Sequence, residues 1–182
     1  NSVFGFELSG LGVPAGATVV VDPVPTLCWQ TYFGGSDIDA STSLACVNGT
    51  CYVGGHTRSP DQIATAGATQ GSWAGQEDGF LMCMTATGEL LWATYLGGQE
   101  NDKVNDLCVA DTSFFLGYMV GETHTNLDAG AGIGASNTPH GTDGFLGQFS
   151  IGNGQIFSSE YFGSQIVSIQ CLPNMLSSVS GI

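Results

Sequence analysis

Positive charge is almost absent from this sequence. Arg58 and Lys103 are its only lysine or arginine residues, against 16 acidic residues, and the formal net charge is -14. Binding to nucleic acid or to an anionic membrane surface requires clustered Lys and Arg, so we expect neither as a partner. No apolar run reaches the roughly 18 residues that a membrane-spanning helix needs, so we also expect no membrane insertion.

Signatures of catalysis and of helices are missing as well. The sequence contains no nucleophile elbow, P-loop, HExxH or CxxC motif. Its three histidines, His56, His124 and His140, do not occupy equivalent positions in the repeats described below. No window combines a 3.6-residue apolar period with helix caps. We therefore expect almost no helix and no enzymatic activity.

What the sequence does contain is glycine and cysteine. Six cysteines in a chain with 28 glycines and few charges indicate an oxidising environment, which is extracellular or at the cell surface. In "LACVNGTCYVGG", Asn48-Gly49 predicts a two-residue type I′ hairpin. Cys46 and Cys51 then face each other in a non-hydrogen-bonded pair, whose short separation suits a disulfide. The sequence does not choose among the three pairings of the other cysteines, Cys28, Cys83, Cys108 and Cys171.

The tip of the same hairpin carries a possible modification site. Asn48-Gly49-Thr50 fits the N-glycosylation acceptor pattern, and a turn exposes it. Asn48 is therefore the candidate glycosylated residue.

An octet occurs three times along the chain. It reads "CWQTYFGG" at 28–35, "LWATYLGG" at 91–98 and, degenerately, "FSSEYFGS" at 157–164, with its tyrosines spaced by 63 and 66 residues. The alternation predicts a strand buried on both faces. In the first copy Trp29 and Phe33 pack to one side and Tyr32 to the other, and the glycine pair ends the strand.

Each repeat reads as four short strands, which in the first repeat lie at about 42–47, 50–55, 79–85 and 90–96. The expected fold is all-β, with tandem four-stranded antiparallel blades of the propeller type. The predicted organisation is an N-terminal β lead-in at 1–27, a first blade-like repeat at 28–91, a second at 92–156 and a partial third at 157–182.

These motifs carry a family resemblance. The Tyr-Leu-Gly-Gly strand, the acidic turn after it, the Asn-Gly hairpin ending in Gly-x-Thr and the Asp-Gly-Phe strand resemble the bacterial SBBP, or seven-bladed propeller, repeat. The resemblance covers 29–91 and 92–157 and fades after Gly163. Propellers close with roughly four to eight blades, so this chain alone implies an incomplete ring. We expect partner subunits or further sequence to continue it.

Two features suggest ligands. The acidic turns place Asp37 and Asp39 after one glycine pair, and Glu100 and Asp102 after the next. Such carboxylates suit calcium, and the alternative is that they cap the turn by accepting bonds from backbone amides. Trp73, in the loop "QGSWAGQED", is the candidate carbohydrate-binding residue; the alternative is that it packs beneath its own loop.

The leading functional prediction is a non-enzymatic extracellular structural or adhesive protein. It assembles with further subunits, as a homo-oligomer or polymer such as a filament or surface layer, or it is completed by further sequence. In the assembly version one of its termini, "NSVFGFELSG" or "IQCLPNMLSSVSGI", completes a neighbour's sheet by strand addition. The alternative is a calcium-assisted carbohydrate-binding module whose partners are glycans.

Overall fold

The computed structural model describes residues 29–111, 116–124 and 142–162. They form eight strands: β1 (Asp39–Val47), β2 (Thr50–Thr57), β3 (Asp78–Thr85), β4 (Leu90–Leu96), β5 (Asp102–Asp111), β6 (Leu116–Thr123), β7 (Asp143–Ser150) and β8 (Ile156–Phe162). These ranges contain no helix, and hence none long and apolar enough to cross a bilayer. The all-β prediction is confirmed.

The strands make two antiparallel sheets that do not close into a barrel. The first sheet has the order β1-β2-β3-β4 and the second β5-β6-β7-β8, as expected for blade-like units of an incomplete ring. Sheets and sequence repeats are offset by one strand, because the octet at 91–98 supplies β4, the last strand of the first sheet. The predicted lead-in at 1–27 and most of the partial third repeat, 163–182, lie outside the described residues.

The hairpin between β1 and β2 forms as its sequence predicts. Asn48 and Gly49 both have positive φ, at 49° and 76°, as a type I′ turn requires. Cys46 pairs with Cys51 in register, with Cα atoms 4.2 Å apart, and the two are joined by a disulfide. The predicted bridge is confirmed, and it fits an oxidising, extracellular environment.

The two sheets pack face to face. Successive side chains of β3 point to opposite sides, so that Leu81 and Cys83 face the second sheet while Phe80, Met82 and Met84 face away from it. Strand β5 lies against β1, β2 and β3. We call the apolar cluster between the sheets the inter-sheet core; it consists of Tyr52, Leu81, Cys83, Trp92, Leu96, Val104, Leu107, Met119, Phe145, Phe149, Ile151 and Ile156.

The side of the first sheet that faces away from the second is the open face. Its buried residues are Val53, Ile63, Phe80, Met82, Met84, Ala93 and Tyr95. The loop that follows β2 runs along the outer edge of this sheet and bonds to β4. Thr65 N donates to Ala93 O (2.9 Å), and Tyr95 N donates to Gln70 O (3.1 Å). This loop therefore satisfies an edge that would otherwise be free to pair with other strands.

The glycine of each Gly-x-Thr step has a packing reason. A Cβ added at Gly121 would lie 1.9 Å from the carbonyl oxygen of Lys103 and 2.6 Å from the ring of Phe145. One added at Gly55 would lie 2.1 Å from the carbonyl oxygen of Ala40 and 2.7 Å from the ring of Phe80. Both sheets thus bring an aromatic ring and a neighbouring strand against a bare Cα.

Candidate functional site

The acidic turns are built alike in both sheets. Asp102 is buried, and it accepts hydrogen bonds from Gly98 N (2.7 Å) and from the Thr123 hydroxyl. Asp39 accepts from Gly35 N (2.9 Å) and from the Thr57 hydroxyl. Each aspartate therefore joins its own turn to the end of the neighbouring strand.

The other two candidate metal ligands also make local bonds. Asp37 is exposed and accepts from Ile38 N (2.7 Å), and Glu100 accepts from the Gln76 side-chain amide (3.0 Å). Across 29–111, 116–124 and 142–162, no group of three or more His, Cys, Asp or Glu side chains is placed to hold a metal ion. The geometry supports turn capping for Asp39 and Asp102, and calcium binding stays a prediction.

Asp78, at the start of β3, is a fully buried carboxylate beside the second turn. Its Oδ2 accepts from Ala74 N (2.9 Å) and from the Gln70 side-chain amide (3.0 Å), while Oδ1 is buried without a hydrogen-bond partner. Burial raises the pKa of Asp78 to about 6, and the charge of Asp102 acts in the same direction. Both carboxylates flank Gly97, where a Cβ would lie 2.8 Å from Asp78 Oδ1 and 3.0 Å from Asp102 Oδ2.

The two basic side chains of the protein converge on one carboxylate. Glu77 is buried; its Oε1 lies 3.3 Å from Arg58 Nε, and its Oε2 lies 3.5 Å from Lys103 Nζ. Lys103 also lies 3.5 Å from Glu122 Oε1, and His56 Nε2 is 3.9 Å from Glu77. Because Arg58 follows β2 and Lys103 is in β5, this cluster links the two sheets.

The charge cluster pairs each of the two cations with a carboxylate. Burial lowers the pKa of His56, which favours the neutral imidazole, and both cations are engaged by carboxylates rather than left for an anionic ligand. Sequence reasoning missed this cluster. Its one signal was the presence of only two cations, and their meeting at Glu77 depends on the packing of the sheets.

The remaining predicted ligand residue is mostly covered. Trp73 is half-buried and packs against the buried cluster of the open face, and its indole N–H is buried without a hydrogen-bond partner. This position favours the alternative that Trp73 packs beneath its own loop, and carbohydrate binding stays a prediction. Asn48 is exposed at the hairpin tip, and its glycosylation stays a prediction.

The other two described cysteines are both buried, and of these Cys83 belongs to the inter-sheet core. Cys83 is free and buried, and burial raises the pKa of its thiol to about 11, so it is a packing residue rather than a nucleophile. Cys108 is in a disulfide whose partner lies outside the described residues.

The second copy of the octet behaves as predicted. It forms β4, buried on both faces: Trp92 faces the inter-sheet core, and Tyr95, on the open face, is 1% exposed. The Tyr95 hydroxyl donates to Ser59 O (2.8 Å), and the Trp92 indole N–H donates to Ile151 O (3.2 Å). The prediction of a strand buried between neighbours is confirmed here.

For the first copy the same prediction is wrong. Residues 29–35 are not in a strand, and Tyr32 is 97% exposed. The side chains nevertheless point as expected, since Phe33 stacks on Phe80 with ring centroids 5.4 Å apart while Tyr32 points to solvent. The physical reason is that a strand needs a hydrogen-bonded neighbour. The second copy, β4, pairs with β3, whereas no strand of the described ranges pairs with 29–35.

The open face combines its buried apolar cluster with exposed apolar side chains such as Leu44 and Trp29. A groove of about 370 Å³ runs along it, lined among others by Trp29, Tyr32, Val53, Phe80 and Met82. Apart from Tyr32, its only ionisable lining residue is Asp39, which is engaged in the turn. The groove therefore suits apolar contact rather than acid–base chemistry.

Strand β1 extends the open face. Leu44, in β1, is 64% exposed, whereas Leu107, at the same repeat position in β5, is 4% exposed within the inter-sheet core. The open face is our candidate functional site. No protein-family model matches this sequence, and no curated protein matches it either, so the resemblance to SBBP repeats stays a prediction.

Proposed function

We propose that this chain is a non-enzymatic, extracellular structural repeat module that assembles with further repeat units through its open face. The observation that carries the proposal is the contrast between equivalent residues. Leu44 is exposed on the open face, whereas its counterpart Leu107 is buried in the inter-sheet core. The first sheet thus has the surface of an inner blade and no described neighbour on that side.

The exposure of large apolar side chains supports an interaction role for the open face. Covering a large apolar side chain contributes about 1.5–3 kcal/mol, and contiguous exposed apolar surface in a soluble protein marks an interaction site. Trp29, Tyr32 and Leu44 are all large and exposed, and all lie on the open face or on the segment leading into it. Covering these side chains favours association.

The chemistry of the chain supports a durable role outside the cell. The Cys46–Cys51 bridge and the disulfide of Cys108 are compatible with an oxidising compartment. Adhesion, filament formation and surface-layer formation are all forms that assembly through repeat units can take, and the open face serves each of them in the same way.

Sedimentation equilibrium over a range of protein concentrations tests this function. We expect species heavier than the 18.7 kDa monomer, increasing with concentration. Each copy carries a net charge of -14, so association is expected to strengthen when salt screens the repulsion. A monomer at every concentration and salt level would contradict the proposal.

A further inference from the structure

We propose that the groove on the open face binds a quaternary ammonium group, which is an organic cation whose charge is covered by alkyl groups. Three observations carry this proposal. They are the aromatic lining of the groove, its single carboxylate, and the engagement of both basic side chains of the sequence elsewhere, at Glu77. The proposal goes beyond assembly through the open face and does not depend on it.

Two parts of the chain form the groove. The first sheet supplies an apolar base that includes Phe80 and Met82, and the segment before β1 supplies Trp29, Tyr32 and Phe33. The volume of about 370 Å³ lies within the range of small-molecule sites. Four of the lining residues are therefore aromatic, and they come from two separate segments, so a ligand in the groove contacts rings from both.

The rings of the segment before β1 remain accessible while two of them are held by the first sheet. Trp29 is 39% exposed, and its ring lies against Gly88, where a Cβ would be 2.9 Å from it. Phe33 packs on Phe80 with ring centroids 5.4 Å apart and planes tilted by 43°. Tyr32 is 97% exposed. Because the face of an aromatic ring carries negative charge density, it attracts a cation placed over it.

The carboxylate in the groove is Asp39, and the turn holds it in place. Its Oδ2 accepts from Gly35 N (2.9 Å) and from the Ser59 hydroxyl (3.1 Å), and its Oδ1 accepts from the Thr57 hydroxyl. All three donors are neutral groups. They orient the carboxylate without cancelling its charge, so the groove has a fixed negative charge beside its aromatic lining.

The basic side chains of the sequence are engaged elsewhere. Arg58 and Lys103, its only two, both lie within ion-pair distance of Glu77, and none of the four ion pairs of the described ranges includes Asp39. The formal net charge of the chain is -14, so its electrostatic field also attracts cations. An external cation therefore complements the charge of the groove.

A quaternary ammonium fits this groove better than a primary ammonium or a guanidinium does. Those groups carry N–H donors, and moving a donor from water to an apolar surface without a new acceptor costs free energy. The carboxylate of Asp39 already accepts three hydrogen bonds. A quaternary ammonium has no N–H group, so its alkyl groups contact the aromatic rings and the thioethers of Met82 and Met84, while its charge is attracted to the ring faces.

Three small alcohols test the chemistry of the ligand. Choline carries a quaternary ammonium, 3,3-dimethyl-1-butanol has the same shape without charge, and ethanolamine has the charge on a primary ammonium. Each is titrated into the full chain at a concentration at which sedimentation shows a monomer, and tryptophan fluorescence reports binding. We expect choline to bind about fivefold or more tighter than either of the others, and its affinity to fall with added salt.

Each contrary result of this titration overturns the proposal. Equal affinities of choline and 3,3-dimethyl-1-butanol would show that the groove recognises apolar surface alone. Ethanolamine binding as tightly as choline would show that the groove does not select a quaternary group. Absence of choline binding to the monomer would show that the groove is not a cation site, and it would leave assembly through the open face unaffected.

Variants of exposed aromatic residues test the location of the site. Tyr32→Leu keeps an apolar side chain but removes the ring face, so we expect choline affinity to fall by about threefold or more. Tyr32→Phe keeps the ring face and is expected to retain the affinity. Phe157→Leu is the matched control, because Phe157 is 49% exposed in β8 and does not line the groove. Choline affinity that is unchanged in Tyr32→Leu, with the variant folded by circular dichroism, would overturn the proposal.

Discussion

The octets at 28–35 and 91–98 share a tryptophan, a tyrosine and a glycine pair at the same positions, yet Tyr32 is 97% exposed and Tyr95 is 1% exposed. Their turns are the same, because Asp39 and Asp102 make the same bonds within a few residues of each glycine pair. The turn is local, whereas burial of the tyrosine depends on a third strand and a loop from elsewhere. In repeat proteins each unit takes part of its stability from its neighbours. The two octets distinguish these contributions, because the turn forms within a unit and burial of the tyrosine requires other parts of the fold.

The strongest test of the comparison removes the two tyrosines in turn. Tyr95→Ala deletes a buried ring and its bond to Ser59, and we expect a loss of about 3–5 kcal/mol in the free energy of unfolding. Tyr32→Ala is expected to change it by less than about 0.5 kcal/mol. Urea denaturation at a protein concentration that keeps the chain monomeric measures both. Similar losses at the two positions would show that Tyr32 is already covered.

A second test uses the pH dependence of stability. Because the pKa of Asp78 is raised in the folded protein from 3.8 to about 6, the folded state binds this proton more tightly than the unfolded state does. The contribution of Asp78 is therefore greatest below about pH 4 and is lost as pH rises towards 6, by up to about 3 kcal/mol.

The difference between the free energies of unfolding of a variant and of the unmodified protein, measured at each pH, isolates this contribution. Asp78→Asn is expected to remove the corresponding slope between pH 4 and 6. Asp143→Asn, at the equivalent and only half-buried position in β7, is the control and keeps it. An unchanged slope in Asp78→Asn would show that the carboxyl does not titrate in this range.

A third test probes what the sheets have in common. Gly121→Ala forces a methyl against Lys103 O and the Phe145 ring, and Gly55→Ala does the same against Ala40 O and Phe80. Both are expected to cost about 1–3 kcal/mol, since the contacts lie within each sheet. Gly71→Ala, where a Cβ meets nothing within 4 Å, is the control. Thermal unfolding measures all three, and a near-neutral Gly121→Ala would mean that the strands relax easily.

The smallest expected effect concerns the charges that link the sheets. The Arg58 side chain is about half exposed where it meets Glu77, so Arg58→Gln is expected to cost less than about 1 kcal/mol and to matter less in high salt. Chemical denaturation at two ionic strengths measures this. A larger, salt-insensitive loss would indicate that Arg58 also acts through packing.

Features that depend on neighbouring residues were predictable. Asn48-Gly49 fixes a turn because both residues tolerate positive φ, and that turn brings Cys46 and Cys51 opposite each other. The strands of the first repeat followed from alternation, and turn capping by Asp39 was one of two open alternatives. By contrast, the meeting of Arg58 and Lys103 at Glu77 joins residues from different sheets, and no local pattern encodes it.

Sequence alone therefore determined the repeat, its strands, the hairpin and the disulfide, because short-range sterics and the two-residue period of a strand act within a few residues. Tertiary structure alone decided which copy of the octet is buried, that Asp78 becomes a carboxyl with a raised pKa, and that Leu44 is exposed while Leu107 is buried. Burial and desolvation depend on what lies on the other side of a sheet. Two copies of one octet can therefore differ completely in exposure when only one of them pairs with a neighbouring strand.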